Sequence, residues 1–183
     1  MELAIGGSGT ASLYHYARQG QVFISYAAGV TALPAYSATA LGPILWNGNT
    51  QTPQMKAVLI GISIAVTTAS AAAVAVGLVG GIGQTAAPTS TTAATSVACS
   101  LVNGAQPTCT FYKAGTVSNA GGFFLPIFTM DTAALTAQPM GDIYVPLDGT
   151  IVVPQGSYIA LAASATATTS VLQVGFVWME VPY

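Results

Sequence analysis

The sequence predicts an all-β fold, an antiparallel sandwich of two sheets, on three observations. Apolar residues recur with period two in several segments, which is the spacing of strands. Proline, glycine and the pairs Asn47-Gly48, Asn103-Gly104 and Asp148-Gly149 punctuate the chain as turns between short strands require. No window sets apolar residues at i, i+3, i+4 and i+7, so no amphipathic helix is expected.

The elements follow in order. Residues 1–20 read as an extended N-terminal arm and 21–183 as one domain. The stretch from Gly6 to Ser12 is too small and flexible in composition to build a core. Tyr14, His15, Tyr16 and Arg18 beyond it read as a contact patch for a neighbouring chain. Strands are expected at 21–28, 42–46, 56–67, 73–79, 96–102, 108–113, 122–129, 142–145, 150–153, 157–163 and 171–181. In the third of these, Val58, Ile60, Ile62, Ile64 and Val66 alternate with Leu59, Gly61, Ser63, Ala65 and Thr67, one apolar face against one mixed face. Residues 85–96, rich in Thr, Ala and Ser with Pro88, read as a long exposed loop.

Charge is the second theme. Only 3 basic and 5 acidic residues occur, 4% of the chain against about a quarter in ordinary soluble domains. From Ala57 to Tyr112 there is no charged residue and no histidine. Such a surface belongs in a membrane or in a large assembly that covers it. The net charge of −2 and the absence of any basic run predict no attraction to nucleic acid or anionic lipid. Residues 57–83 are long and apolar enough for a spanning helix, but their period-two pattern and internal glycines favour strands. A membrane-embedded protein using that segment is the alternative. The start, Met1-Glu2-Leu3-Ala4, has neither the basic region nor the apolar run of a secretory signal, so synthesis and retention in a cytoplasm, or release by lysis, is expected.

Motifs that carry chemistry are weak. Gly81-Ile82-Gly83-Gln84-Thr85-Ala86 fits a dinucleotide-binding turn, but Pro88 and a Thr/Ser run follow where a helix should start, and no acid lies about 20 residues on. A glycine-rich turn explains it, and no cofactor is expected. Cys99 and Cys109 flank Asn103-Gly104 symmetrically, which fits either a cross-strand disulfide or two buried thiols. Two cysteines and the single His15 make no zinc set, and Asp131, Asp142 and Asp148 form no calcium loop. No catalytic constellation is legible.

The last strand is more informative. Leu172, Val174, Phe176 and Trp178 share one face, and Val171, Val177, Met179 and Val181 the other. A surface sheet normally has one polar face. Two apolar faces imply cover on both sides, by a second sheet and by another subunit or the chain's own loops. Val171, Val177, Met179 and Val181 are thus candidates for an oligomer interface.

The segment Asp148-Gly149-Thr150-Ile151-Val152-Val153-Pro154-Gln155-Gly156, leading to Val177-Trp178-Met179-Glu180-Val181-Pro182, resembles the closing strands of jelly-roll structural proteins of tailed bacteriophages, above all head decoration or cement proteins and minor capsid proteins. The resemblance covers roughly the last 40 residues, and its motif is a V-P-x-G turn with a final W-x-E-x-P strand. It implies a jelly-roll-like sandwich, no catalytic residues, a homotrimer, a major capsid protein as partner and a place on the capsid surface of a virion. The arm residues Tyr14, His15, Tyr16 and Arg18 would contact the capsid. The runner-up is a receptor- or carbohydrate-binding fibre head, which needs exposed aromatics; Tyr36, Trp46 and Tyr112 are its candidates.

Overall fold

The computed structural model describes residues 15–48, 54–94, 96–98, 106–130 and 140–183. Twelve strands follow one helical turn over residues 15–18: β1 (Val22–Leu33), β2 (Ala40–Leu41), β3 (Ile44–Asn47), β4 (Met55–Thr68), β5 (Val74–Gly81), β6 (Thr89–Ala93), β7 (Ser96–Ala98), β8 (Thr110–Thr116), β9 (Phe123–Met130), β10 (Met140–Val153), β11 (Ser157–Ala163) and β12 (Ala167–Pro182). They form two sheets, ordered β10-β4-β12-β1-β7 and β2-β8-β3-β11-β5-β9, with β6 also paired to β8. Every strand-to-strand pairing is antiparallel.

Eight of the strands pair as a folded-over hairpin. β1 pairs with β12, β3 with β11, β4 with β10 and β5 with β9, and the partners of each pair lie in the same sheet. Rolling such a hairpin into two packed sheets is the jelly-roll architecture. β6, β7 and β8 are an excursion inserted at its tip. β8 extends the second sheet beyond β3, and β7 extends the first beyond β1.

Alternation sets which residues fill the space between the sheets. Leu172, Val174, Phe176 and Trp178 of β12 are all fully buried, with Leu59, Ile62 and Ile64 of β4 beside them. Val76, Leu78, Phe111, Ile159 and Leu161 meet them from the second sheet. The Phe111 and Phe176 rings, one from each sheet, sit 5.2 Å apart, and Phe23 lies 5.8 Å from Trp178 within the first. Each such side chain contributes about 1.5–3 kcal/mol through burial.

Three expectations are corrected. β6 runs through the segment read as a loop, because its backbone pairs with β8 although Thr, Ser and Ala carry no period-two signal. The strands expected at 142–145 and 150–153 are one strand, β10; Asp148 and Gly149, both at positive φ, make a bulge within it rather than a hairpin. In β4 the alternation changes phase: Ala57 and Leu59 point inward, then Ile62, Ile64 and Val66. The shift falls where β12 slips register between Val177 and Trp178, and it turns Val58 to the outside. No described helix is long and apolar enough to cross a membrane, and residues 57–83 hold β4 and β5.

Candidate functional site

The two outer faces of the sandwich differ. On the second sheet, Ile44, Val79, Ala160 and Ala162 point away from the main core yet are fully buried. They pack with Leu41, Trp46, Val117 and Tyr158 in a second apolar cluster. The connection from β8 to β9 lies over it, with Gly121 so close to Val79 that a side chain there would collide. Gln84 pins that connection: its Oε1 accepts from the Ser118 hydroxyl at 3.0 Å and the Asn119 N–H at 2.9 Å. Tyr158 donates its hydroxyl to the Asn119 carbonyl at 3.2 Å, and burial pushes its phenol up to about 12. The chain's own loop covers this face.

The outer face of the first sheet remains open among the described residues. The register sets out three rows across four strands. Val22, Met179, Val58 and Val152 lie abreast, with Val22 itself buried, then Ile24, Val177, Gly61 and Pro146, then Tyr26, Gly175, Ser63 and Tyr144. Tyr144 is 58% exposed, Tyr26 52%, Val152 48% and Ile24 40%, far above what a core sheet shows. Val171, Val177, Met179 and Val181, the expected interface residues, share this side and are half-buried. Gly175 and Ser63 floor a trough between the two tyrosines, whose strands stand about 14 Å apart at normal strand spacing. Tyr144 leans over Gly61, which has no Cβ to obstruct it. At the end of the face Lys56 lies over the Tyr183 ring, 5.0 Å from its centroid.

The sequence reading identified the β12 members of this face but not Ile24, Tyr26, Tyr144 or Val152. Those need the register, although period two along β1 and β10 would have placed them on one side. Around the β10 side of the sandwich, Ile82, Phe123 and Leu125 are also exposed, at 78%, 48% and 44%. Ile82, Phe123, Val152 and Pro154 line a shallow apolar cavity of about 280 Å³ there.

Glu180 is a second feature that the sequence did not announce. It is 2% exposed, on the core side of β12 with Trp178. Its carboxylate accepts from the Thr108 N–H (2.9 Å), the Thr108 hydroxyl, the Cys109 N–H (2.9 Å) and Trp178 Nε1 (3.1 Å). Four donors offset the cost of burying a carboxylate. Cys109 beside it is a buried thiol, pushed far up first by desolvation and then by the Glu180 charge. Cys99, the Asn103-Gly104 turn and Asp131 lie outside the described residues.

The remaining sequence candidates are placed as follows. His15, Tyr16 and Arg18 form the helical turn before β1, and His15 Nε2 lies 3.0 Å from Gln19 Nε2. Tyr14 and most of the arm fall outside the described residues. Tyr36, Trp46 and Tyr112 do not form an exposed aromatic cluster: Trp46 is buried with Tyr112 packed on its cluster, and Tyr36 stacks on Phe124 at 5.0 Å. Gly81 ends β5, and no helix follows it, so the glycine motif has no anion-binding terminus. No three potential metal ligands meet among the described residues.

A comparison of the chain with family models matches none, and a comparison with curated proteins returns no match.

Proposed function

We propose that the protein is a non-enzymatic virion structural protein, a capsid decoration or cement protein that bridges and stabilises capsid subunits. One observation carries this reading: a jelly roll whose second sheet is sealed by its own loop presents a wide, largely apolar face on its first sheet, with charge confined to its margins at Lys56 and the β10 aspartates. An exposed apolar surface of several hundred Å² marks an interaction site. Uncharged groups also desolvate at low cost when partners close on them. Bridging adds interface area between capsid subunits, and that area resists internal pressure. The major capsid protein is the expected partner, with the arm residues Tyr14, His15, Tyr16 and Arg18 as its contacts, and the chain acts as a homo-oligomer of three copies.

Co-sedimentation with virus particles from the chain's own source tests this. The intact chain pellets with the particles at fixed stoichiometry. A variant lacking residues 1–20 stays in the supernatant with an unchanged thermal midpoint. Failure of the intact chain to bind such particles contradicts the decoration reading, and full occupancy by the truncated chain removes the arm as anchor.

A further inference from the structure

We propose that Asn47-Gly48 is a modification site gated by folding: the native corner protects it, and a chain whose corner opens deamidates there and is barred from refolding. Asn47 ends β3 in the second sheet, and its side chain is fully buried. Its Nδ2 donates to the Val153 carbonyl at 2.8 Å and to the Met55 carbonyl at 3.0 Å, at the end of β10 and the start of β4 in the first sheet. Its own carbonyl accepts the Gly156 N–H at 2.7 Å, in the turn between β10 and β11. One residue therefore ties both sheets at this corner. Two carbonyls facing one group require a donor, and a primary amide supplies two hydrogens.

Gly48 is equally constrained. A Cβ there would collide with the Trp46 indole, itself buried in the second apolar cluster. The carbonyls thus demand an amide at 47, and the indole demands glycine at 48. That pair is chemically labile, because no side chain hinders the Gly48 nitrogen from reaching Asn47 Cγ. In an opened chain the Gly48 N–H gives its proton to hydroxide, and the nitrogen bonds to Cγ. The Cγ–Nδ2 bond breaks, and ammonia leaves with a proton taken from water, closing a succinimide. Water then adds to one of the two ring carbonyls and gives aspartate or isoaspartate. The sum is one water consumed and one ammonia released. In the folded chain both carbonyls hold Nδ2, and burial of the side chain keeps hydroxide away. The product does not fit the corner. An ionised aspartate donates nothing and would lie buried against the Met55 and Val153 oxygens. Isoaspartate lengthens the backbone where Asn47 pairs with Ser157. Chemical change in the unfolded chain makes unfolding irreversible.

Neither a capsid nor an assembled state enters, so the purified intact chain suffices for the test. It is held at mildly alkaline pH, in buffer and in urea above its unfolding midpoint. The peptide cut after Arg18 and after Lys56 is then read by mass spectrometry, whose fragments separate Asn47 from Asn49. In urea Asn47 should lose its amide as fast as Asn103, which also precedes glycine. In buffer the loss at Asn47 should be at least ~100-fold slower, the protection given by a corner open about 1% of the time or less. On removal of urea after increasing times, the refolded fraction should carry unmodified Asn47 and the unrefolded fraction its aspartate and isoaspartate forms, with Asn103 scored separately. The variant Asn47→Ser keeps one donor and has no amide to lose, so its recovery should not decline with time in urea. If that variant does not fold, the fractionation of the parent decides alone. Equal rates at Asn47 in buffer and urea, an equal share of modified residue 47 in the two fractions, or a folded Asn47→Ser variant that loses recovery as fast as the parent would each overturn the proposal.

Discussion

Glu180 Oε1 accepts the backbone N–H of Cys109 at 2.9 Å, and this bond ties the last strand of one sheet to the start of β8 in the other. The same carboxylate holds both donors of Thr108, so the excursion at the jelly-roll tip is anchored to the closing strand. Glu180→Gln replaces an acceptor oxygen by a donor amide facing N–H groups. It should lower unfolding stability by about 1–3 kcal/mol, and Glu180→Ala by ~3 kcal/mol or more, because buried donors lose their partner. Urea unfolding checks this; an unchanged midpoint for Glu180→Gln would show that the anchor contributes nothing.

Phe111 and Phe176 join the two sheets through a ring contact at 5.2 Å. Phe176→Ala should cost about 3–5 kcal/mol through the cavity it leaves. A double-mutant cycle with Phe111→Ala should give a coupling of about 0.5–1.5 kcal/mol. Strict additivity would mean that the rings do not interact.

Much of the fold was legible because burial follows alternation. The strands around Val74, Ser157 and Val171 lie where period two put them, and the inward set Leu172, Val174, Phe176 and Trp178 is the one expected. What stayed hidden depends on residues distant in sequence. The β4 phase change is forced by its register on β12, so Val58 reads as a core residue until the pairing is known. β6 exists through its pairing with β8 rather than through its own composition. The open face was half visible: β12 announced it through Val177 and Met179, but Tyr26 and Tyr144 join it only once β1 and β10 flank β12 and β4. The burial of Glu180 was written in its phase with Trp178, yet the donors that permit it come from Thr108 and Cys109, 71 or more positions away.

Gly77 lies against the Leu125 carbonyl in the β5–β9 pairing, whereas an added Cβ at Gly122 would meet nothing within 4 Å. Gly77→Ala should therefore open the edge of the second sheet and destabilise by about 1–3 kcal/mol, while Gly122→Ala stays within about 0.5 kcal/mol. Hydrogen exchange of β9 amides would register the first; equal exchange in both variants would contradict it.

Alkaline pH should weaken the protein through Tyr158. Its phenol is raised to about 12 from an ordinary 10, so the neutral form is favoured in the folded state. The stabilisation is full below pH 10 and is lost as pH rises from 10 through 12. The Cys109 thiol is displaced in the same direction and adds to the loss above its ordinary value of 9. Phenolate absorbance should show one tyrosine titrating late, and Tyr158→Phe should remove that component. A normal titration of every tyrosine would contradict it.

The most direct measurement is oxidative footprinting of the face itself, read by mass spectrometry residue by residue. Tyr26, Tyr144 and Met179 share the open side of the first sheet, while Met130 is fully buried and serves as the internal reference. In the assembled protein the three face residues should be protected at least ~10-fold relative to the Val177→Asp variant, with Met130 unreactive in both, the protection expected when a stable interface excludes solvent. Equal labelling of Tyr26, Tyr144 and Met179 in the parent and the variant, at concentrations where the parent is assembled, would show that the face is not the assembly surface.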